Sequence, residues 1–365
     1  MYVTNLKLVN FRNYQELVLE LDKNVNVFFG NNAAGKTNIL EAIYMTAITK
    51  SYRTIKENEV IKFGESYSNI FVNYVDKLDR NFKIQLYIDD NSKKKIKEDD
   101  VDIKRASDII GKYNVVIFSP ESLDIIKGSP KNRRKFIDVL LSQISKAYLL
   151  KLQEYNKVLA IKNSLLKNES DKIDKDYLDI LDEKLADYIK YIMEERKKLI
   201  ERINIYASKI QNDLTSNKED IYIKYVSDFL GMNKEEIIGV LKRNRFQDLL
   251  KKSSTKGVQR DDFEVYVDNL EVKTYGSQGQ NRTALLTLKL SELEILKDEK
   301  EDAPILLLDD VLSELDNSRI EYLLKYIEPY QTVITTTEID TLKHLCNISF
   351  YKVLSGSVEK LKNKW

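Results

Sequence analysis

Short runs of alternating apolar and polar residues fill the first third of the chain, and this pattern predicts β-strands. The runs lie at residues 3–9, 16–21, 24–29, 70–75 and 82–88, and residues 113–118 are predicted to form a strand of the buried type. After the third run, residues 36–49 place Ile39, Ala42, Ile43 and Ala47 on one face of a helix. This part of the chain is therefore predicted to be rich in β-sheet, with one early helix.

The middle of the chain changes to helical periodicity, with apolar residues recurring mostly at intervals of three, four or seven positions. Two long helices are predicted, at residues 131–166 and 172–214, and a polar turn at 168–171 separates them. With a rise of about 1.5 Å per residue, the second helix would be about 60 Å long. An antiparallel hairpin that projects from the body and a compact helical bundle both satisfy this pattern.

The last part of the chain returns to strands that alternate with helices. Strands are predicted at residues 263–267, 304–309, 331–336 and 348–354, and helices at 279–296 and 319–327. Such alternation at both ends, split by a helical insert, favours one α/β domain assembled from both termini. The predicted domains are therefore residues 1–128 together with 258–365, and an inserted helical arm at 129–257.

Composition excludes several classes of protein. The 365 residues are 42% hydrophobic and 32% charged, as in soluble globular proteins of two or three domains. The 59 basic and 58 acidic side chains leave a net charge of +1, so only local patches bear on nucleic-acid binding. Cys346 and His344 are the sole residues of their types, which excludes an internal disulfide and a Cys/His zinc site. No secretory or membrane-spanning segment is recognisable, so a cytoplasmic location is expected.

The strongest chemical signal is a glycine-rich loop between a predicted strand and a predicted helix. Residues 30–37 match the pattern G-x-x-x-x-G-K-[ST] in full. In such a loop, backbone N–H groups face phosphates, the lysine reaches the β- and γ-phosphates, and the hydroxyl holds Mg²⁺. The predicted nucleotide-binding residues are Gly30, Asn31, Asn32, Ala33, Ala34, Gly35, Lys36, Thr37 and Asn38.

Two acidic residues follow an apolar strand near the other end of the chain. Residues 305–308 are all aliphatic, and Asp309 and Asp310 come directly after them. On its own this would be a strand that ends in an acidic turn. Beside a phosphate-binding loop, however, such a strand delivers an aspartate to Mg²⁺. Asp309 is the predicted metal ligand, and Asp310 is predicted to orient or deprotonate the attacking water.

A third segment opens the predicted helix at residues 279–296. Gly279 and the small Ser277 expose main-chain amides at a helix N-terminus, together with Gln280, and could form a second anion site. Helix capping by Ser277 is the simpler explanation when the segment is considered alone. Its position shortly before the Asp309 strand favours the functional interpretation.

The order of these motifs resembles the SMC-like branch of ABC-type ATPase heads, and within that branch the RecF family. Besides residues 30–37, the matching segments are 8–14, 51–54, 118–121, 127–130 with Arg133 and Arg134, 276–283 and 307–316. The resemblance thus extends over nearly the whole chain. Residues 256–263 depart from the usual Gly-Pro-His-Arg-Asp-Asp pattern of the family, since only Gly257, Arg260, Asp261 and Asp262 match it.

The resemblance implies an α/β, ABC-type P-loop ATPase head built from both termini, with an inserted α-helical arm. It also implies weak, Mg²⁺-dependent hydrolysis of ATP, with Lys36, Asp310 and Ser277 as catalytic residues. The segment from Ser277 to Gln280 would cap the ATP held by a second subunit, so that ATP lies between the two heads of a homodimer.

Two further residues acquire expected roles in the same way. Asp316 would lie in the loop that crosses to the partner's nucleotide. Thr337 lies in a threonine run where ABC transporters place a switch histidine, and a threonine hydroxyl can still bond a γ-phosphate or water.

The resemblance also implies partners. Members of the family favour duplex DNA at gaps and act with RecO and RecR to load RecA in recombinational and replication-gap repair. The candidate DNA-binding residues are Arg53, Arg133, Arg134 and Lys135. Solvated surface is the simpler explanation for each of them, and Arg12 and Arg53 could instead face nucleotide phosphates.

Three other functions remain open. The ATPase subunit of a membrane transporter would carry a Q-loop glutamine and a switch histidine, and neither is recognisable. An ATP-gated nuclease of the OLD type would need an additional acidic domain, for which there is no evident room. An interaction protein with a vestigial site would not need Lys36, Thr37, Asp309 and Asp310 to be intact.

Overall fold

The computed structural model describes residues 1–167, 174–339, 342 and 347–361. The strands are β1 (Tyr2–Phe11), β2 (Tyr14–Glu20), β3 (Val25–Phe29), β4 (Tyr67–Val75), β5 (Asn81–Asp89), β6 (Lys94–Glu98), β7 (Val101–Ile103), β8 (Val115–Phe118), β9 (Ile221–Val226), β10 (Asp262–Val267), β11 (Leu270–Glu271), β12 (Ile305–Asp309), β13 (Thr332–Thr336), β14 (Ile348–Leu354) and β15 (Ser357–Lys360). The helices are α1 (Lys36–Ile48), α2 (Asp124–Lys127), α3 (Pro130–Ile144), α4 (Lys146–Lys167), α5 (Lys175–Thr215), α6 (Lys234–Arg243), α7 (Arg245–Leu250), α8 (Val272–Tyr275), α9 (Gln278–Lys300) and α10 (Asn317–Tyr326). The predicted turn at 168–171, His344 and Cys346 lie outside the described residues.

The chain forms two compact units, Met1–Ser122 with Glu292–Trp365, and Leu123–Ser291. The first unit contains two six-stranded sheets. One is antiparallel, in the order β2-β1-β4-β5-β6-β7, and the other has the order β15-β14-β3-β13-β12-β8 and is parallel except for β15. Because β3 lies between β13 and β14, the two ends of the chain share one sheet, as the sequence predicts.

Helix α1 contacts strands of both sheets in the first unit. Every residue of α1 except Thr37 and Asn38 is buried, which explains why its apolar residues are not confined to one stripe. The parallel strands β3, β12 and β13 have their carboxyl ends at one edge of their sheet, and α1 begins there after the loop 30–35. This edge of an open α/β sheet is where ligands usually bind.

The second unit is built on α4 and α5, which run antiparallel. Lys151 lies over the ring of Tyr191, whereas Lys162, further along α4, pairs at 2.9 Å with Asp182, which is earlier in α5. Helix α5 has 41 residues and agrees closely with the prediction of 172–214.

The predicted first helix, 131–166, is divided into α3 and α4. Ser145 between them is extended, with φ −129° and ψ 112°. Its Oγ accepts the main-chain N–H of Tyr148 at 3.2 Å and so caps the start of α4. One serine therefore turns a continuous apolar pattern into two helices.

The segment 129–257 is not helical throughout, contrary to expectation. Strand β9 lies within it and pairs with β10, which also pairs with β11, in an antiparallel sheet. The alternation of buried Ile221, Ile223 and Tyr225 is present but short, and it lies among charged residues. This sheet crosses the predicted boundary between residues 257 and 258, and residues 258–291 belong to the second compact unit. Among the described residues, no helix combines the length and the apolar character needed to span a membrane.

A buried guanidinium joins three parts of the second unit. Arg196 of α5 donates to both carboxylate oxygens of Asp138 at 3.0 Å, to Oδ2 of Asp261 at 3.0 Å and to the carbonyl oxygen of Val258 at 2.7 Å. Its side chain is 2% exposed. Burial raises the pKa of Asp261, and Arg196 acts in the opposite direction. One cation therefore fixes α3, α5 and the segment that precedes β10.

We expect Arg196→Met to destabilise the second unit by about 3–5 kcal/mol, because the buried Asp261 and the partly buried Asp138 would lose their shared cation. Unfolding in urea, followed by circular dichroism, measures the effect. Lys198→Met is the matched control, since Lys198 lies on the same helix but pairs with Glu195 on an exposed surface. The control should leave the midpoint nearly unchanged; equal shifts for both variants would contradict the assignment.

Candidate nucleotide-binding site

The loop between β3 and α1, residues 30–35, curls around the amino group of Lys36, the first residue of α1. Gly30 and Gly35 have φ values of 154° and 112°, in the region that favours glycine. The Nζ of Lys36 donates to the carbonyl oxygens of Gly30 at 2.6 Å and Asn31 at 2.9 Å. A cation thus lies at the centre of the loop, where a phosphate would be received.

The turn between β1 and β2 supports this loop from behind. The Nδ2 of Asn13 donates to the carbonyl oxygen of Ala34 at 2.9 Å, and its Oδ1 accepts from Nδ2 of Asn38 at 2.8 Å. The hydroxyl of Tyr14 donates to the carbonyl oxygen of Gly35 at 3.2 Å. A Cβ at Gly35 would lie 2.5 Å from Nδ2 of Asn13, so only glycine permits this approach.

Asp309, at the end of β12, accepts hydrogen bonds from helix α1 and from the neighbouring strand β13. Its Oδ1 accepts from the hydroxyl of Thr37 at 2.8 Å and from that of Thr335, on β13, at 2.7 Å. The hydroxyl of Tyr52 lies 3.4 Å from its Oδ2. Burial raises the pKa of Asp309, and the two threonine bonds oppose this rise.

Asp310 lies beside Asp309 in a left-handed conformation, with φ 54°. Its N–H donates to the carbonyl oxygen of Thr335 at 3.1 Å and to Oγ1 of the same residue at 3.0 Å. Its Oδ1 is buried and has no hydrogen-bond partner within the described part of the chain. Burial lowers the pKa of Lys36, and the negative charges of Asp310 and Asp309 act against this. The site therefore contains a hydrogen-bond acceptor, Oδ1 of Asp310, that is available to a bound molecule, together with the amino group of Lys36.

These groups surround one cavity of about 350 Å³. It is lined by Asn32, Ala33, Gly35, Lys36, Thr37, Asn38, Arg53, Asp309, Asp310 and Thr335. The hydroxyl of Thr37 and the carboxylate of Asp309 are the hard oxygen ligands that Mg²⁺ prefers, and this metal commonly takes its other ligands from phosphate and water. Among the described residues no group of three or more His, Cys, Asp or Glu side chains could hold a metal by itself. The donor set therefore fits a Mg²⁺ ion that also binds a phosphate.

The structure places Thr335, and not Thr337, at the predicted metal carboxylate. Thr337 follows β13 and is exposed, whereas Thr335 is fully buried within the strand. Within the threonine run 335–337, Thr337 is the residue chosen from the sequence, and no role is predicted for Tyr52. Asp309 and Thr335 are partners in the parallel pairing of β12 with β13, which only the structure reveals. Of the predicted loop residues, Gly30, Asn31 and Ala34 shape the loop without lining the cavity.

The Ser277 segment lies in the second unit, at the start of α9. The N–H of Ser277 donates to Oε1 of Gln280 at 3.0 Å, and the N–H of Gln280 donates to Oγ of Ser277 at 3.2 Å. This reciprocal pair is a capping box. Ser277 and Gly279 are exposed, and a Cβ at Gly279 would meet only Oγ of Ser277, at 3.9 Å. The segment is therefore held by two hydrogen bonds and has open space in front of it.

Asp316 caps α10 in the first unit. Its Oδ1 accepts the N–H of Arg319 at 3.0 Å and the hydroxyl of Ser318 at 2.7 Å. The bond from Ser318 is the main cause of its lowered pKa. Helix capping therefore accounts for this aspartate within one chain, and its expected role toward a partner stays a prediction.

The four basic residues predicted to contact DNA have different surroundings. Arg133 is 6% exposed and bonds both carboxylate oxygens of Asp262, at 2.6 and 2.8 Å. This pairing occupies its guanidinium inside the second unit. Arg134 is partly buried and donates to a main-chain carbonyl, and Lys135 is exposed. Arg53 lies in the first unit, at the nucleotide cavity.

Comparison with known proteins identifies the family. The family model described as the RecF/RecN/SMC N terminal domain matches residues 2–355. The DNA replication and repair protein RecF of Clostridium botulinum, strain Langeland, is 44% identical over 99% of this chain and 100% of its own. The chain belongs to the RecF family. A second RecF, from Clostridium tetani, is 45% identical over 98% of this chain and 99% of its own.

Solved structures agree with this assignment. A structure of the recombination mediator protein RecF with ATP, in the RecFOR pathway, has a TM-score of 0.90 and 37% identity, and 99% of each chain is covered. An Smc head bound to a winged-helix domain of ScpA has a TM-score of 0.59 at 16% identity, covering 100% of this chain and 98% of that chain. The second likeness shows the fold alone. The predicted ABC-type ATPase head of the RecF and SMC kind is thus confirmed.

We expect Thr335→Val to weaken Mg²⁺-dependent binding of ATP by about tenfold, because Asp309 loses one donor and the N–H of Asp310 loses an acceptor. Titration with a fluorescent ATP analogue, at several Mg²⁺ concentrations, measures the change. Thr337→Val is the control and should bind like the parent protein. A loss for Thr337→Val equal to that for Thr335→Val would show that the sequence-based choice of Thr337 deserves equal weight.

Proposed function

We propose that this chain is an ATP-dependent DNA-binding protein of DNA replication and recombinational repair, with weak ATPase activity. The observation that carries the proposal is the convergence of Lys36, Thr37, Asp309 and Asp310 on one cavity. Membership of the RecF family, whose relatives are named DNA replication and repair proteins, supports the pathway. A RecF structure with ATP supports the choice of nucleotide.

The side chains of this site have separable tasks in ATP hydrolysis. Lys36 would leave its loop carbonyls for the β- and γ-phosphates, since a phosphate oxygen is the stronger acceptor for a cation. Thr37 and Asp309 would hold Mg²⁺, which neutralises the phosphate charge when bound. Asp310, with its unpartnered Oδ1, would accept a hydrogen bond from water and orient it.

ATP would also bring two copies of the chain together. The proposal is that Ser277, Gly279 and Gln280 of one copy contact the γ-phosphate held by the other. Exposure of Ser277 and Gly279 and the rigid capping box support it, since a preorganised and open segment costs little entropy on binding. Asp316 of each copy would then lie near the partner's site.

The proposed partners follow from the family. The ATP-bound dimer would hold duplex DNA near gaps, act with RecO and RecR to promote loading of RecA, and release DNA after hydrolysis. The related RecF structures are described as part of the RecFOR pathway, which supports the link with RecO and RecR. The protein would act in the cytoplasm, where the chromosome of a bacterium lies.

Mixing two inactive variants tests the shared sites. Lys36→Met removes the loop cation, and Ser277→Arg blocks approach of the segment to a partner's phosphate. A mixed dimer would contain one site with both defects and one with neither. We expect each variant alone to lack ATP turnover and the mixture to recover up to about half of the parent rate per mixed dimer. Absence of recovery at every mixing ratio would count against shared sites.

We expect DNA binding to be electrostatic and to depend on exposed lysines near the start of α3. Lys131→Glu combined with Lys135→Glu should weaken binding to all duplex sequences and reduce the salt dependence. Each lost phosphate contact lowers the slope of log affinity against log salt by about 0.9. Fluorescence anisotropy of a labelled duplex, with ATP present, measures both quantities.

The double variant Lys251→Glu with Lys252→Glu is the matched control, because both of these lysines are exposed and belong to the same unit. It makes the same change in net charge at another place. If the two double variants lose the same affinity, the effect reflects net charge alone, and the region near Lys131 is not the DNA path.

A further inference from the structure

Helix α1 carries a carboxylate in its buried middle. The side chain of Glu41 is 0% exposed. The guanidinium of Arg12 holds both of its oxygens, with Nε donating to Oε2 at 2.9 Å and Nη2 to Oε1 at 2.6 Å. A carboxylate at such depth is tolerable only with a cation and hydrogen bonds, and this bidentate pair supplies both. The nucleotide chemistry described above makes no use of Glu41.

The segment 51–54 is attached to the same carboxylate. The hydroxyl of Ser51 donates to Oε1 of Glu41 at 2.5 Å. The same Oγ accepts the N–H groups of Arg53 at 3.0 Å and Thr54 at 3.1 Å. The turn that carries Arg53 is therefore organised around one hydroxyl, and Glu41 fixes that hydroxyl.

Arg53 leads from this anchor to the nucleotide cavity. Its Nη1 donates to Oδ1 of Asn38 at 2.9 Å and to Oε2 of Glu41 at 3.3 Å. The side chain is 34% exposed and lines the cavity. Because Arg12 already balances the charge of Glu41, Glu41 does not cancel the charge of Arg53. The two guanidinium groups and this one carboxylate together leave one positive charge at the cavity, which Asp309 and Asp310 also line.

We propose that Glu41 is a positioning residue of the nucleotide site, which anchors the turn 51–54 through Ser51 and aims Arg53 at the phosphates of ATP. The proposal rests on the proposed function insofar as ATP is the occupant. An arginine on a loose turn samples many conformations, so its side chain loses entropy when ATP binds. On an anchored turn the arginine is already ordered, and this loss of entropy on binding is smaller. Loss of the anchor should therefore reduce ATP affinity without any change in charge.

Two variants that preserve charge test this. Glu41→Asp keeps the carboxylate but shortens its reach, and Ser51→Ala removes the hydroxyl while the pair of Glu41 with Arg12 remains. Each should lower the affinity for Mg²⁺·ATP by about threefold or more, and Arg53→Gln by about tenfold. Thermal melts establish that each variant is folded at the titration temperature. Ser51→Ala decides the matter if Glu41→Asp does not fold, because it leaves the buried ion pair intact.

The decisive measurement is a double-mutant cycle. In an Arg53→Gln background, Glu41→Asp and Ser51→Ala should change ATP affinity by less than about twofold, since the residue that they position is gone. Glu59→Asp is the control, because Glu59 is exposed beside Arg12, which it contacts only through its main-chain oxygen. Parent-like affinity in both single variants, or equal losses with and without Arg53, would overturn the proposal. If the parent protein itself does not bind Mg²⁺·ATP, the proposed function fails instead.

Discussion

The hydrogen bond between Thr37 and Asp309 joins two residues of the nucleotide site that are 272 positions apart in the sequence. One partner opens α1, near the start of the chain, and the other ends β12, near its end. The parallel sheet makes this contact possible, because β3, β13 and β12 are neighbours and end at one edge. The N-terminal and C-terminal parts are thus incomplete without each other, since the first supplies the phosphate loop and the second supplies the carboxylates.

Buried carboxylates organise both units by the same physical constraint, which is that each needs a cation. In the first unit Glu41 has Arg12, and in the second Asp261 has Arg196. At the far end of α4, Lys162 is 0% exposed and pairs with an aspartate of α5. Such pairs add little net stability compared with apolar packing, but removal of one member is costly, so they restrict which alternative packings are possible.

Much of this could be predicted from the sequence, because the decisive signals are local. The loop 30–37 is a contiguous pattern, and the strand before Asp309 is a continuous apolar run, so both could be placed without a structure. Periodicity alone predicts a helix at 172–214, close to the observed α5 at Lys175–Thr215. What could not be predicted depends on contacts between distant segments. No local sequence pattern predicts the pairing of β9 with β10 or the position of Thr335 beside Asp309.

The basic residues at the start of α3 also show what sequence reasoning cannot predict. A run of lysines and arginines at the start of a helix resembles a DNA-binding surface, but the sequence does not reveal which of them already have partners. Arg133 pairs with Asp262 inside the fold, whereas the side chain of Lys131 is exposed. The motif segment 256–263 supplies the partner of Arg133, because Asp262 accepts its hydrogen bonds, and the neighbouring Asp261 accepts one from Arg196 of α5. The matching residues of that segment therefore have a structural task in this chain.

The raised pKa of Asp309 bears on why a metal should be required. Burial makes the ionised carboxylate costly in the folded protein, and this cost appears as pH rises through the raised pKa and is absent below the ordinary value. A cation beside Asp309 removes the cost, and so does a proton. If Mg²⁺ binds Asp309 as proposed, it would compete with protons for this carboxylate, and acidification would weaken metal binding at a higher pH than for an exposed aspartate. A triphosphate without its metal would meet the carboxylates of Asp309 and Asp310 beside the cations Lys36 and Arg53, and a metal bound with it would offset the added negative charge.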